Sequence, residues 1–281
     1  MRGFKSKASL LWGLGLFLLI VACFEILPLL SVIFDSFRKT DGSGFTLENY
    51  ASSLSKTFYL QSITSSLYIS LLSSLVGIIA AVLGAYSLHN LPPKARDRIL
   101  TFSNMTSNFA GVPLAFAFII ILGNNGLFTL LFKNLGWDMA QRFNLYSISG
   151  LVIVYIYFQI PLGILLMYPA FDAIRNEWKE AALILGADAA KFWRHIGLPV
   201  LLPGIVGTFN ILFANAMGAY ATAVALTNGS INLLPIRIGA LISGDIMLNP
   251  ELASALSVVL GVTLVLINVI NRKLLGRREA A

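Results

Sequence analysis

The residues of this chain able to do chemistry are few, and none are grouped for making or breaking a covalent bond. Its two histidines, His89 and His195, and its one cysteine, Cys23, stand far apart among 281 residues, with no spacing that would hold a metal. No acidic pair sits in one apolar run, Ser149-Gly150 has no embedded histidine to activate it, and no Gly-x-x-x-x-Gly-Lys-Ser/Thr cradle for phosphate occurs. What remains is polar side chains inside apolar runs: Tyr155, Tyr157 and Gln159 ahead of Pro161, then Asn210, Asn215, Gly218, Tyr220 and Thr222. In hydrocarbon such groups must find partners or water, so they either hydrogen-bond between helices or line a wet path. Tyr155, Tyr157, Asn210, Asn215 and Tyr220 are the candidate lining residues, with Asn215 and Tyr220 foremost. Their chemistry is hydrogen bonding to a passing solute, not catalysis.

The elements that must position them follow from composition. Hydrophobic residues make up 57% of the chain and charged ones 12%, with a mean hydropathy of +0.80; soluble domains carry about 25% charged residues. Six runs reach the roughly 20 apolar residues that a spanning helix needs: 9–34, 62–88, 99–122, 148–170, 201–226 and 252–271. The chain is therefore expected to be an all-α integral membrane protein with six transmembrane helices. Fourteen of its 20 Lys and Arg fall on one side of these spans if the N-terminus is cytoplasmic: Arg2, Lys5 and Lys7; Lys94, Arg96 and Arg98; Arg175, Lys179, Lys191 and Arg194; and Arg272, Lys273, Arg277 and Arg278. The positive-inside bias then places both termini in the cytoplasm. The net charge of +7 reflects this topology and anionic lipid rather than nucleic acid, since no soluble basic domain is present.

Within the spans, Glu25 is the one embedded acid. It lies about 27 Å along a helix from Lys7, near the outer boundary of a ~30 Å core, where snorkelling, pairing or contact with a cationic solute from outside are its alternatives. Arg2, Lys5 and Lys7 ahead of Ile20-Val21-Ala22-Cys23 superficially fit a lipoprotein signal, but the apolar run continues past Cys23 to Phe34. A stripe of Ser66, Ser70, Ser74, Gly77, Ala81 and Gly84 predicts close packing of the second span. The third begins with Asn104, Thr106, Ser107 and Asn108 and breaks at Gly111 and Pro113. After Gly123-Asn124-Asn125-Gly126, Leu127 to Leu135 is too short to span and reads as an interfacial helix. Together with the Pro235 to Pro250 segment, it either forms part of an outer receiving surface or simply packs at the interface.

Between the fourth and fifth spans lies a charged segment of different character. From Asn176 to Leu185, Trp178, Ala181, Ala182 and Leu185 share one helical face. Gly186 can end that helix, Asp188 can cap a second short one through Phe192 and His195, and Pro199 marks the next boundary. The outcome is a cytoplasmic helix-turn-helix whose apolar face needs a partner, the alternative being a hairpin lying on lipid.

Glu180-Ala181-Ala182, then Gly186-Ala187, then Ile196-Gly197-Leu198-Pro199 resembles the Glu-Ala-Ala loop in the permease subunits of binding-protein-dependent type I ABC importers. Phe45-Thr46-Leu47-Glu48-Asn49-Tyr50 and Gly84-Ala85-Tyr86 are similar to the polyamine (spermidine/putrescine)-type permeases. The resemblance implies the type I importer permease fold, with an N-tail, first span and outer loop over 1–60, a permease core over 61–272 carrying the coupling loop 172–199, and a C-tail over 273–281. It implies that Glu180, Ala181, Ala182 and Gly186 couple to a separate ATPase.

The implied partners are two ATPase subunits that hold ATP and Mg, a second permease chain in a heterodimer, an extracytoplasmic substrate-binding protein and the bacterial plasma (inner) membrane. This chain itself would be non-catalytic and carry no cofactor or metal. The implied solute is a polyamine or similar small organic solute, with phosphonate, iron or opine-like solutes as alternatives. An ion-gradient-driven secondary transporter would need more embedded titratable groups than Glu25, and an intramembrane enzyme would need a constellation that the sequence lacks.

Overall fold

The computed structural model describes residues 14–136, 143–244 and 248–279, with side chains only to Lys273 in the last helix. Arg2, Lys5, Lys7 and Arg142, the start of the first expected span and the side chains of Arg277 and Arg278 lie outside the described residues. Six helical stretches are long and apolar enough to cross a membrane: α1 (Leu14–Asp35), α3 (Thr57–His89), Val112–Asn134, α7 (Ile148–Phe171), α9 (Ala189–Met217) and Pro250–Lys273. Shorter helices lie between them: α2 (Glu48–Ser55), α4 (Pro93–Asn108), α8 (Asn176–Ile184), α10 (Tyr220–Thr227) and α11 (Leu234–Ser243). Val112–Asn134 comprises α5 (Val112–Leu122) and α6 (Leu127–Asn134), and the last span opens α12 (Pro250–Glu279).

Two expected boundaries move. The third span is not one helix over 99–122. Its first part is a separate helix, α4, which starts at Pro93 because Pro92 and Pro93 begin a helix without wasting a donor and stops at Asn108, and the spanning stretch is Val112–Asn134. Gly111, at φ +73°, then precedes the new start at Val112-Pro113.

The fifth span begins not after Pro199 but at Ala189. A π turn, Trp193–Gly197, carries the helix through: the Leu198 N–H reaches back five residues to the Trp193 carbonyl. The wider turn makes room for a proline ring that would otherwise strike the carbonyl four residues earlier. The first span repeats the device, with a π turn at Ala22–Ile26 just before Leu27-Pro28.

Contacts divide the chain into two units, Met1–Leu60 with Arg237–Val262, and Gln61–Ile236 with Thr263–Ala281. In the first, Phe45 to Tyr50 is a folded corner. Arg38 and Phe45 form a bridge, the buried Asn49 amide donates to the carbonyls of Ser36 (3.1 Å) and Arg38 (2.9 Å), and the hydroxyls of Ser36 and Tyr50 meet at 2.7 Å. In α1, by contrast, no residue of the apolar window is buried. A helix apolar all round and uncovered on every side belongs in lipid or against another chain.

The second unit is built around α7. The small-residue stripe of α3 meets it so closely that a Cβ on Gly163 would stand 2.6 Å from that of Ala81, one on Gly77 3.1 Å from Gln159 Cβ, and one on Gly84 2.9 Å from Ile164. At the centre of this contact the buried Gln159 amide donates to Ser73 Oγ (2.7 Å) and accepts from Ser74 Oγ (3.2 Å). The packing expected for the stripe is what the structure shows. Gly163→Val should cost about 1–3 kcal/mol through overpacking, and Gln159→Leu about 0.6–1.7 kcal/mol. Thermal unfolding of the purified protein in detergent measures both, and a Gly163→Val melt equal to that of the unaltered chain would contradict the contact.

Candidate functional site

The coupling segment is built from its turn outward. α8 ends on a paired closure: the Ala187 N–H donates to the Ala182 carbonyl (2.9 Å) and the Gly186 N–H to that of Leu183 (3.0 Å). This geometry needs a left-handed residue at position 186, and Gly186 supplies it at φ +76° with open space around its Cα. Asp188 then caps the next helix, accepting from the Lys191 N–H at 2.8 Å. Turn and cap are both as the spacing predicts.

So is the apolar face: Trp178, Ala181, Ala182 and Leu185 line one open groove, and of the four only Ala182 is buried, in a core with Phe171, Ile174 and Phe192. Glu180, Ala181 and Gly186 are exposed. With Ala182 held down, the residues before the turn project: Leu183 is 67% exposed, and Ile184 and Leu185 are each 86% exposed. An open groove of about 400 Å³ lies on one side, lined by Trp178, Ala181, Leu185, Phe192, His195 and Ile196 among others. One of about 220 Å³ lies on the other, where Tyr86, Lys179, Leu183, Asp188 and Trp193 contribute.

The elbow is tied to the ends of other helices. Trp193, which the sequence reading passed over, sets its ring against Tyr86 at the end of α3 (5.4 Å, edge to face) and against Phe171 at the end of α7 (6.5 Å). His89 Nδ1 lies 3.7 Å from an Asp172 carboxylate oxygen. The Arg96 guanidinium sits over the Tyr168 ring at 5.7 Å.

The candidate path residues separate by role. Two helix breaks, 109–111 between α4 and α5 and 218–219 between α9 and α10, free backbone groups that hydrocarbon cannot satisfy. Each is met by a side chain: the Gly111 N–H donates to Thr222 Oγ1 (2.9 Å), and the buried Tyr155 hydroxyl donates to the Ala219 carbonyl (2.8 Å). Tyr155 is thus committed to the fold.

Asn210 accepts from the Asn271 amide and faces Asn268, a clamp between α9 and α12. Asn268 and Asn271 were missed by the sequence reading because each is a lone amide near a span end. Tyr157 is 40% exposed and meets Phe118 edge to face. Asn215 is exposed and Tyr220 is 42% exposed, and both stand beside the second break. Glu25 lies exposed in the π turn of α1. Thr222→Val and Tyr155→Phe should each cost about 1–3 kcal/mol, the penalty for an unpaired buried group. Chemical denaturation in detergent measures this, and a loss near zero for both would show that the breaks are satisfied otherwise.

Comparison with known proteins now bears on this arrangement. Residues 73–278 match the family described as the binding-protein-dependent transport system inner membrane component. The spermidine/putrescine transport system permease protein PotB of Haemophilus influenzae is 26% identical over 248 residues, 86% of this chain and 85% of that protein. The ferric transport system permease protein FbpB of Actinobacillus pleuropneumoniae is 24% identical over 271 residues, 93% of this chain and 37% of that protein. In a crystal structure of a bacterial ABC transporter that imports the acidic polysaccharide alginate, one chain superposes with a TM-score of 0.73 at 17% identity, covering 99% of both chains. The six apolar helices, the bundle around α7 and the matched length together make this chain a multi-pass bacterial inner-membrane protein, and it belongs to the binding-protein-dependent transport system inner membrane component family, the permeases of ABC importers.

Proposed function

We propose that the α8–α9 elbow is the surface on which this permease receives a separate ATP-hydrolysing subunit, and that the exposed face beside the two helix breaks lines the solute path. The observation that carries the first part is the contrast at the turn. Ala182 is anchored in the core while Leu183, Ile184 and Leu185 stand free between two grooves. Fully burying a Leu or Ile side chain contributes about 1.5–3 kcal/mol, so a cleft closing over this elbow gains several such contributions from one short segment. Glu180, Ala181 and Gly186 shape the elbow, and Ala182 holds it to the bundle.

On this reading ATP and Mg reside on the partner, which is present in two copies. A second, different permease chain completes the path, and an extracytoplasmic protein delivers the solute. Both termini are cytoplasmic, which puts the elbow on the side where ATP is. Alternating access then requires that ATP bind one state of the assembly more tightly than the other. The solute is a polyamine or a similar small organic molecule, supported by the similarity to the spermidine/putrescine permeases. Asn215 and Tyr220 present an amide and a phenol to it, and Tyr157 presents a ring. Glu25 is a cation contact only if a neighbouring chain brings the path to α1.

Gly186 offers a test that separates backbone shape from bulk, since nothing lies within 4 Å of where its Cβ would be. Gly186→Val, forced to a positive φ that a β-branched residue does not tolerate, should lose both the co-purifying ATPase and transport while still inserting in the membrane. Gly186→Asn, which visits that region, should keep most of both. Normal transport by Gly186→Val would mean that the elbow does not dock the ATPase.

A further inference from the structure

The indole of Trp193 belongs to two places at once. One edge lines the groove beside the elbow, with Lys179, Leu183 and Asp188. Its ring also meets Tyr86 at the end of α3, Phe171 at the end of α7 and its own neighbour Phe192, at 5.4, 6.5 and 5.8 Å. Phe171 in turn touches Tyr86 (6.2 Å) and His89 (6.3 Å). Four aromatic rings thus gather the cytoplasmic ends of α3 and α7 around one residue of the elbow.

The ring is held there by the π turn. Trp193 opens that turn and Gly197 closes it, and a Cβ on Gly197 would stand 2.4 Å from Trp193 Cε3 and 2.8 Å from Cζ3. The glycine is therefore present for the ring and not for the backbone, whose φ of −62° any residue adopts. Beyond the turn the helix runs unbroken to Met217 and ends at the break that Tyr155 caps.

We infer that Trp193, seated on Gly197, is the positioning residue that carries displacement of the docked elbow to α3, α7 and the α9 break. The inference rests on the docking reading above. A push on the elbow moves the indole against Tyr86 and Phe171. The same push travels along α9, whose 29 residues span about 43 Å, to the Gly218–Ala219 break beside Asn215 and Tyr220. Trp193 touches neither solute nor nucleotide, so its removal acts on the coupling between sites and not on either site alone.

The experiment uses the complete transporter, co-purified with its ATPase and second permease, in proteoliposomes with its solute-loaded binding protein. Gly197→Ala, at a buried position outside both grooves, should leave the ATPase bound and its basal hydrolysis within about twofold, while hydrolysis stimulated by the binding protein and solute uptake both fall about tenfold, inside the usual range for a coupling of this kind; Trp193→Ala should lose the same stimulation. Trp193→Phe, which keeps a ring in the socket, should recover most of the stimulation. The Gly197→Ala loss is expected although alanine is the better helix former; a residue with only a local helical role would show no loss.

Full stimulation in Gly197→Ala or Trp193→Ala overturns the inference and leaves docking untouched. Loss of the bound ATPase in either also overturns it, since Trp193 would then be a docking residue. Absence of any ATPase from the unaltered complex overturns both readings.

Discussion

Everything in this fold answers to one constraint: a backbone N–H or carbonyl freed inside an apolar slab must be met from within the protein. Among the described residues, three of the spanning stretches carry or adjoin a break or a widened turn. α4 gives way to α5 at 109–111, α9 gives way to α10 at 218–219, and α1 and α9 each contain a π turn ahead of a Leu-Pro pair. The breaks are closed by Thr222 and Tyr155, single side chains placed across the bundle. The π turns keep the helix continuous where a proline would otherwise interrupt it. The two breaks lie together, joined by the Gly111–Thr222 hydrogen bond, and Asn215 and Tyr220 are exposed beside the second.

The same economy explains the elbow. A loop that merely returned the chain between two spans would tuck its apolar residues away or dispense with them. Here one small residue, Ala182, goes under, and the left-handed glycine turns the chain so that three large aliphatic side chains stay outside. Because α9 starts three residues after that turn and does not stop until Met217, one helix leads from beside the elbow to the second helix break. Trp193 adds a lateral link to α3 and α7.

Much of this was legible in the sequence, for reasons of differing strength. Apolar length marked the spans, and small residues spaced by three and four marked the α3 face that packs on α7. Gly186 and Asp188 announced their turn and cap, since both are local choices made by backbone sterics and short-range hydrogen bonds. Pro199 misleads, because a proline that ordinarily marks a boundary is absorbed here by a π turn. The Leu-Pro pairs at 27–28 and 198–199 are the shared signal that could have corrected this. The face of α8 was legible too: helical spacing grouped Ala182 with Trp178, Ala181 and Leu185, and the four line one groove, while the depth at which each sits is decided by the neighbours, here Phe171 and Phe192. Tyr155 and Asn210 stood out as polar residues in hydrocarbon. Whether such a group lines a path or closes a break depends on contacts 64 and 61 residues away along the chain.

The central claim is that the elbow before Gly186 seats in an ATP-hydrolysing partner. Its most direct test places a photoreactive side chain at Ile184 or Leu185 in native membranes and identifies the adducts by mass spectrometry, with Leu127 on α6 as the control position. The account predicts an adduct at 184 and 185 with a subunit that carries a phosphate-binding loop, and none of that kind at 127. Adducts at 184 and 185 with lipid alone, or only with a second copy of this chain, would contradict it.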